Sequence, residues 1–202
     1  MNTQGHTLFI VFPPGLGGNH LMNLLSLDQR YHSNVDYSQY LKDQFENAHF
    51  AQNTELRLRW IQSQDFSLDK INIIPTHLAS YLWFCDNPES AKPEFAHRKF
   101  CLINMPADKN SMAYKRLVSV CPTYDEEYVY EETRTLYSIQ YLKRLFDQHD
   151  WFSLDSELLF SQDFDQLYQN LCLQGLVQDI DQNLARTIHQ RWILSLGHQI
   201  NA

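Results

Sequence analysis

Long apolar runs are missing from this sequence, and so is any surplus of positive charge. No uninterrupted apolar stretch approaches the roughly 20 residues of a membrane-spanning helix, so we expect no membrane association. The 24 acidic side chains outnumber the 16 basic ones, which argues against nucleic acid or an anionic membrane as partner. The residues before Thr7 lack the basic start of a signal peptide, and we expect a cytoplasmic protein.

Cysteine is also scarce. The four cysteines, at positions 85, 101, 121 and 172, lie far apart without a CxxC pair, which argues against a zinc site and a disulfide framework. We therefore expect reduced thiols and no bound metal. Apolar material is plentiful, because 44% of the residues are hydrophobic and 13% are aromatic. This composition can supply the core of a single domain over residues 1–202.

Four short apolar or β-branched runs alternate with stretches of helical spacing. This alternation predicts an α/β fold of three layers, αβα, with a central parallel sheet of four or five strands. We expect Asp163 and Asp179 to be helix N-caps, and Gly175 and Gly197 to end helices. The predicted strands are Thr7–Phe12, Ile71–Ile74, Lys99–Ile103 and Trp151–Leu154, and the predicted helices after the one beginning near Gly18 are Tyr37–Asn47, Thr54–Gln64, Lys109–Val120, Asp125–Gln148, Asp163–Gln174 and Asp179–Gly197.

The first strand runs into a glycine-rich turn, FPPGLGGNH. We expect the backbone from Gly15 through Leu16, Gly17, Gly18 and Asn19 to His20 to cradle a phosphate or sulfate at the start of the next helix. The turn lacks the GK[ST] ending of a Walker A loop, so neither a lysine nor a magnesium-binding hydroxyl is in place. The alternative is a tight connection that uses glycine for its backbone angles and binds nothing.

Two further segments follow the second and third strands. His77 comes directly after the second strand, at the sheet edge that also carries the glycine turn, and is therefore a candidate catalytic group. Residues 99–117, KFCLINMPADKNSMAYKRL, form a strand, a sharp exit at Asn104, and a helix that carries Ser111 and basic side chains. This helix start predicts a second phosphate contact, and the alternative is a solvated basic face.

Taken in order, these segments resemble the sulfotransferase family. FPPGLGGNHLMNLL is similar to the family's phosphosulfate loop, IIPTHL to the element bearing the catalytic histidine, and residues 99–117 to the segment that holds the donor's 3'-phosphate. WFSLDSELLFSQDFDQLYQNLCLQGL resembles the late strand and helix, so the resemblance runs from Leu8 to about Leu176.

The resemblance implies a fold like that of P-loop nucleoside triphosphate hydrolases. It also implies sulfuryl transfer from 3'-phosphoadenosine 5'-phosphosulfate to a hydroxyl or amine of a small-molecule or glycan acceptor, without a metal. His77 would be the general base, and residues 15–20 would hold the phosphosulfate, with a protonated His20 replacing part of the missing charge. Asn104 and Ser111 would contact the 3'-phosphate.

The sequence departs from the family pattern in ways that keep two alternatives open. The turn has no lysine, Asn104 stands where the family has an arginine, and no Arg-Lys-Gly segment follows near the carboxyl end. These departures favour a nucleotide or phosphoester binding protein without transfer activity. The glycine turn also allows a P-loop kinase-like phosphotransferase, which the absent GK[ST] opposes.

Overall fold

The predicted parallel sheet is confirmed, with five strands. The computed structural model describes residues 5–32, 65–86, 91–145 and 150–200. Within these ranges the strand order is β2-β3-β1-β4-β5, and every neighbouring pair is parallel. The strands are β1 (His6–Val11), β2 (Tyr31–His32), β3 (Ile71–Thr76), β4 (His97–Ile103) and β5 (Asp150–Leu154).

Helices flank this sheet. They are α1 (Gly18–Leu25), α2 (Leu78–Cys85), α3 (Met112–Val120), α4 (Glu127–Leu136), α5 (Ile139–Leu145), α6 (Ser156–Leu159), α7 (Phe164–Leu173) and α8 (Gln182–Ile200). Two short 3-10 helices lie at Pro93–Phe95 and Pro122–Asp125. No helix in the described ranges has both the length and the apolar character needed to cross a bilayer. The helices predicted at Tyr37–Asn47 and Thr54–Gln64 lie outside the described residues.

The core is built on β1, the central strand. Residues 8–11 are at most 2% exposed, so both faces of this strand are covered, as expected for a parallel sheet. On one face Phe9 pairs in register with Phe100, and Phe100 pairs with Trp151. Their rings stack at centroid distances of 5.6 and 4.4 Å. Tyr81 of α2 covers this aromatic row, with its ring 4.8 Å from that of Phe9.

One predicted helix is broken in two. Asp125–Gln148 was expected to be continuous, but α4 ends at Leu136 and α5 begins at Ile139. The hydroxyl of Ser138 accepts a hydrogen bond from the Tyr141 amide at 3.2 Å. A serine in this position satisfies an amide at the start of a new helix, which favours a break over continuation.

The last helix was predicted with both of its ends in the wrong place. α8 starts at Gln182, and the Asp181 carboxylate accepts hydrogen bonds from the Leu184 and Asn183 amides at 3.0 and 2.9 Å. Asp181 therefore supplies the cap that was expected from Asp179. The helix also continues through Gly197 to Ile200, because one glycine inside a long helix costs only about 1 kcal/mol.

The ends of α7 were predicted correctly. The Asp163 side chain accepts a hydrogen bond from the Gln166 amide at 3.1 Å and caps the helix. Gly175, just past the end, has a φ of 70°, the left-handed conformation that commonly ends helices. Among the described strands and α-helices, β2, α2 and α6 were not predicted, and neither were the two 3-10 helices.

The direction of the strand connections reverses at the end of β1. The chain leaves β1 towards β2 on one side, whereas it leaves β3 and β4 in the opposite direction. Right-handed connections then carry the following helices to opposite faces of the sheet. Ligands of open α/β sheets bind outside the carboxyl ends of strands at such a reversal. The glycine turn, which follows β1 directly, lies at this point.

A buried carboxylate ties the segment after α1 to the segment before α8. The side chain of Asp28 is 2% exposed and accepts hydrogen bonds from the Arg30 guanidinium at 2.8 Å and the Gln178 amide at 2.9 Å. Burial alone would raise the pKa of Asp28, but the hydrogen bonds from Arg30 and Gln178 lower it to about 2. The Tyr31 hydroxyl adds a hydrogen bond to the Leu176 carbonyl at 2.7 Å.

We expect Asp28→Ala to lower the free energy of unfolding by about 2 to 3 kcal/mol, because charge-assisted hydrogen bonds to a buried carboxylate are lost. Chemical denaturation at pH 7 measures this change. Asp165→Ala removes an exposed carboxylate that pairs with Arg186 and should have a much smaller effect. Because the folded pKa of Asp28 lies below its ordinary value, its stabilising contribution should disappear as the pH falls from about 4 towards 2. Equal losses in the two variants would contradict this role for Asp28.

Candidate functional site

The turn after β1 uses two glycines in the left-handed backbone conformation. Gly15 and Gly17 have φ values of 83° and 74°, whereas Gly18 lies outside that region. Gly17 is the N-cap of α1, which begins at Gly18 as predicted. Turns that mix left-handed residues with ordinary ones direct successive amides towards one side and form an anion-binding concavity.

Neighbouring elements enclose these glycines. A Cβ on Gly17 would lie 3.0 Å from the Trp192 ring, and a Cβ on Gly15 would lie 3.2 Å from Val120. A Cβ on Gly18 would lie only 2.1 Å from the Phe12 ring. Packing therefore requires glycine at Gly18, and the left-handed backbone favours it at Gly15 and Gly17. These requirements hold whether or not the turn binds a ligand.

Several backbone amides of the turn have no hydrogen-bond acceptor among the described residues. The amide of Leu16 donates to the Pro13 carbonyl at 3.2 Å, so Leu16 contributes no amide to a cradle. The amides of Gly15, Gly17 and Gly18 have no acceptor among the described residues. Backbone amides in buried positions are almost always paired, and Gly18 is buried. Three donors without an acceptor therefore lie within four residues, where an anion could accept from all of them.

The electrostatics of the turn favour an anion but supply no formal charge. The first turn of α1 contains no acidic residue, and no carboxylate occurs between Pro13 and Leu27. The positive end of the α1 dipole is therefore not neutralised by a carboxylate of this segment. No lysine or arginine occurs in the same segment. This segment can therefore attract an anion only through its dipoles.

His77 lies beside the residue that enters the turn. Its Nδ1 is 2.8 Å from the Phe12 carbonyl oxygen, and because a carbonyl can only accept, Nδ1 carries the hydrogen. The neutral ring then has its basic lone pair on Nε2. The His77 ring centroid is 4.8 Å from that of Phe12, and the Phe12 ring also contacts Gly18. Phe12 therefore links the candidate base to the start of the candidate cradle.

The electrostatic environment of His77 suits a neutral imidazole. Burial lowers its pKa, and the hydrogen bond to Phe12 opposes this shift without cancelling it. At neutral pH the ring is therefore largely unprotonated, which is the form that a general base requires.

Asn104 and Ser111 both lie beyond the end of β4. The Asn104 side chain donates to the Ser153 hydroxyl at 2.7 Å, and its backbone amide donates to the Leu154 carbonyl. Ser111 is the N-cap of α3, where its side-chain oxygen accepts from the Tyr114 amide at 3.1 Å. Each side chain thus has a structural role, although the Ser111 hydroxyl keeps its own hydrogen for donation.

The side chain of His20 is turned into the protein. It is 1% exposed and stacks on Trp192 at a centroid distance of 3.9 Å. His20 Nε2 lies 3.0 Å from His189 Nδ1, and His189 Nε2 lies 2.8 Å from the Ser161 carbonyl oxygen. Because that carbonyl can only accept, His189 Nε2 carries hydrogen, and in the neutral pair His20 Nε2 donates to His189 Nδ1.

The cationic role expected for His20 is not supported. Burial and the neighbouring His189 hold the pKa of His20 well below its ordinary value, and burial also lowers the pKa of His189. His20 is therefore neutral near pH 7 and cannot replace the missing lysine charge. Only its backbone amide, at the start of α1, remains a candidate contact with an anion.

Sequence reasoning missed the residues that surround the turn. Trp192 and His189 come from α8, about 170 positions away from the turn, and no local pattern connects them to it. Phe12 was predicted only as the end of a strand. The glycines and His77 could be found because they directly follow strands whose carboxyl ends meet at one edge.

Comparisons with known proteins add nothing to this picture. No family model matches the sequence, and no curated protein or solved structure matches it either.

The buried histidine pair predicts a pH-dependent stability. The unfolded chain binds protons on histidine near pH 6.5, whereas His20 and His189 resist protonation in the folded protein. The free energy of unfolding should therefore decrease as the pH falls from 7 to 5. His189→Gln should reduce this decrease, because it removes one imidazole of the buried pair. Urea denaturation at pH 7 and at pH 5 measures the free energy of unfolding. An unaltered pH dependence in His189→Gln would contradict the assignment of His20 and His189 as a neutral pair.

Proposed function

We propose that this protein is a sulfotransferase-like enzyme with a P-loop-like binding turn, using 3'-phosphoadenosine 5'-phosphosulfate as donor. One observation carries the proposal: the amides of Gly15, Gly17 and Gly18 have no acceptor among the described residues, at the start of a helix that directly follows the central strand. An anion with several oxygens would satisfy these donors and the α1 dipole together. The resemblance of the flanking segments to the sulfotransferase family favours a phosphosulfate as that anion.

His77 is the general base of this proposal. Its Nε2 takes the proton from an acceptor hydroxyl or amine while the acceptor atom forms a bond to sulfur. The bond from sulfur to the bridging oxygen of the donor breaks, and adenosine 3',5'-bisphosphate leaves. The Nδ1 hydrogen bond to Phe12 fixes the tautomer and stabilises the imidazolium that forms, because the carbonyl dipole favours positive charge.

The amides of the turn contribute to the same step. Negative charge moves onto the bridging oxygen as the sulfuryl group departs, and donors already oriented towards the phosphate stabilise that charge without reorganisation. Ser111 can donate its hydroxyl hydrogen to the 3'-phosphate, and Asn104 occupies the position of the family's arginine. An amide gives a weaker contact than a guanidinium, because only the latter forms charge-assisted hydrogen bonds.

A second candidate is a binding protein of the same fold that performs no transfer. The absence of any cation from Pro13 to Leu27 favours it, since family members use the loop lysine to neutralise the leaving oxygen. A phosphotransferase dependent on magnesium receives less support: His20 occupies the place of the magnesium-binding hydroxyl in GK[ST], and its side chain is buried against Trp192.

Calorimetric titration with adenosine 3',5'-bisphosphate tests the donor site. We expect binding that is equally strong with and without magnesium. Gly15→Ala should weaken it about tenfold, because a side chain is strained at a φ of 83° and moves the adjacent amide away from the phosphate. Gly175→Ala provides a matched control. Gly175 also has a left-handed backbone, with a φ of 70°, and open space around it, but it lies at the end of α7 and not in the turn.

The outcomes of this titration separate the candidate functions. Magnesium-dependent binding of ATP in place of the bisphosphate would favour a phosphotransferase. Equal affinity in Gly15→Ala and the wild-type protein would contradict a cradle at this turn. Tight binding without any sulfuryl transfer to a panel of hydroxyl and amine acceptors would favour the binding protein.

A substitution at His77 tests the catalytic step. His77→Asn keeps a side-chain donor that can reach the Phe12 carbonyl but removes the base. We expect kcat to fall about a hundredfold or more while the affinity for adenosine 3',5'-bisphosphate changes little, because a general base acts mainly in the transition state. Steady-state sulfuryl transfer and calorimetry measure the two quantities. A parallel loss of affinity would make His77 a ligand contact or a structural residue.

A further inference from the structure

The start of α2 is held by a side chain from the break between α4 and α5. The amide of Leu78, the first residue of α2, donates a hydrogen bond to the Tyr137 hydroxyl oxygen at 3.3 Å. Tyr137 follows the last residue of α4 and is 9% exposed. Burial raises the pKa of Tyr137 to about 12, against the opposing effect of this hydrogen bond. The hydroxyl is therefore neutral at physiological pH and serves as an acceptor for the Leu78 amide.

His77 occupies the N-cap position of α2 without capping the helix. N-cap side chains usually accept a hydrogen bond from an amide of the first turn, but the His77 side chain forms no such bond. Its Nδ1 donates to the Phe12 carbonyl, and a ring nitrogen that carries hydrogen cannot accept. The amides at a helix start need acceptors from outside the helix, and Tyr137 provides one of them.

Two neutral tautomers of His77 compete at this helix start. In one, Nδ1 carries the hydrogen and Nε2 has the basic lone pair. In the other, the lone pair on Nδ1 can accept from an amide of the first turn of α2, while Nε2 carries the hydrogen and cannot take a proton. The Tyr137 oxygen places partial negative charge at the positive end of the α2 dipole, so it reduces the free energy that the helix gains from such a cap. Tyr137 therefore favours the first tautomer.

We propose that Tyr137 is a positioning residue for His77: by accepting from the Leu78 amide, it keeps the imidazole in the tautomer whose Nε2 is basic. The proposal rests on the proposed function only for the use of Nε2 as a base. The hydrogen bonds from Leu78 to Tyr137 and from His77 to Phe12 belong to the protein alone. They join three elements, because Phe12 follows β1, His77 follows β3 and Tyr137 follows α4.

Removal of the Tyr137 hydroxyl tests this assignment. Tyr137→Phe deletes one oxygen atom and keeps the ring, and Tyr128→Phe is the matched control, because Tyr128 lies on α4 but is 69% exposed. Nitrogen-15 NMR of the His77 ring at about pH 8, where histidine is neutral, measures the tautomer ratio. We expect hydrogen mainly on Nδ1 in the wild-type protein, and a shift of about threefold to tenfold towards Nε2 in Tyr137→Phe. Tyr128→Phe should keep the wild-type ratio.

Hydrogen exchange of backbone amides provides a second measurement, which needs only the unaltered protein. After correction for intrinsic rates, the Leu78 amide should exchange about threefold to tenfold more slowly than the Ala79 amide, which has no acceptor among the described residues. Equal protection of the two amides would overturn the proposal, even if Tyr137→Phe failed to fold. Circular dichroism melting verifies that each variant retains the fold.

The outcomes separate this proposal from the proposed function. A wild-type ring with its hydrogen mainly on Nε2 overturns the role of Tyr137, and so does a ratio that is unchanged in Tyr137→Phe or shifted equally in both variants. If the ratio shifts in Tyr137→Phe alone but the wild-type protein transfers no sulfuryl group to the acceptor panel, positioning by Tyr137 stands and the sulfotransferase proposal fails. If transfer depends on His77 while the ratio stays constant, the proposed function stands without Tyr137.

Discussion

The contact between the Phe12 ring and the backbone of Gly18 is the constraint on which the other features of the turn depend. Any side chain at Gly18 would begin 2.1 Å from that ring, so α1 can start directly behind the end of β1 only with glycine there. The same ring packs against His77, and the Phe12 carbonyl accepts the His77 Nδ1 hydrogen. One aromatic residue thus sets the relative positions of a strand end, a helix start and an imidazole.

This arrangement leaves the turn with dipoles and without a formal charge. Its glycine amides and the α1 macrodipole carry partial charges, while burial keeps His20 and His77 in their neutral forms. Dipoles act over a shorter range than a formal charge, and long-range attraction of an anionic ligand would have to come from elsewhere on the protein. The face of α3 that borders Gly15 contributes the Val120 side chain and the Arg116 backbone carbonyl.

The features that the sequence predicted correctly are those encoded locally. Continuous β-branched and aromatic runs identified four strands, and three glycines after the first strand identified the turn. β2 was missed because two residues, Tyr31 and His32, carry no periodicity. α2 was missed because its sequence, LASYLWFC, is apolar almost throughout and lacks a helical pattern.

Other predictions differ from the structure where contacts between distant parts of the sequence set the orientation of a side chain. The side chain of His20 was expected to face a ligand, but Trp192 and His189 hold it inside, and nothing near His20 in the sequence indicates their presence. Side-chain orientation at a helix start therefore required the structure, whereas the location of that start did not.

The enclosure of the turn by α8 has a consequence for the order in which the protein is made. Trp192 packs on Gly17 and His20, so the first βα unit is completed by one of the last helices of this sequence. During synthesis from the amino end, about 170 further residues must be added after the first helix before α8 can pack on it. Contacts of such long sequence separation form slowly, and exposed apolar surface invites aggregation in the interval. A nascent chain that lacks α8 would therefore present an incomplete turn, without the packing of Trp192 on Gly17 and His20.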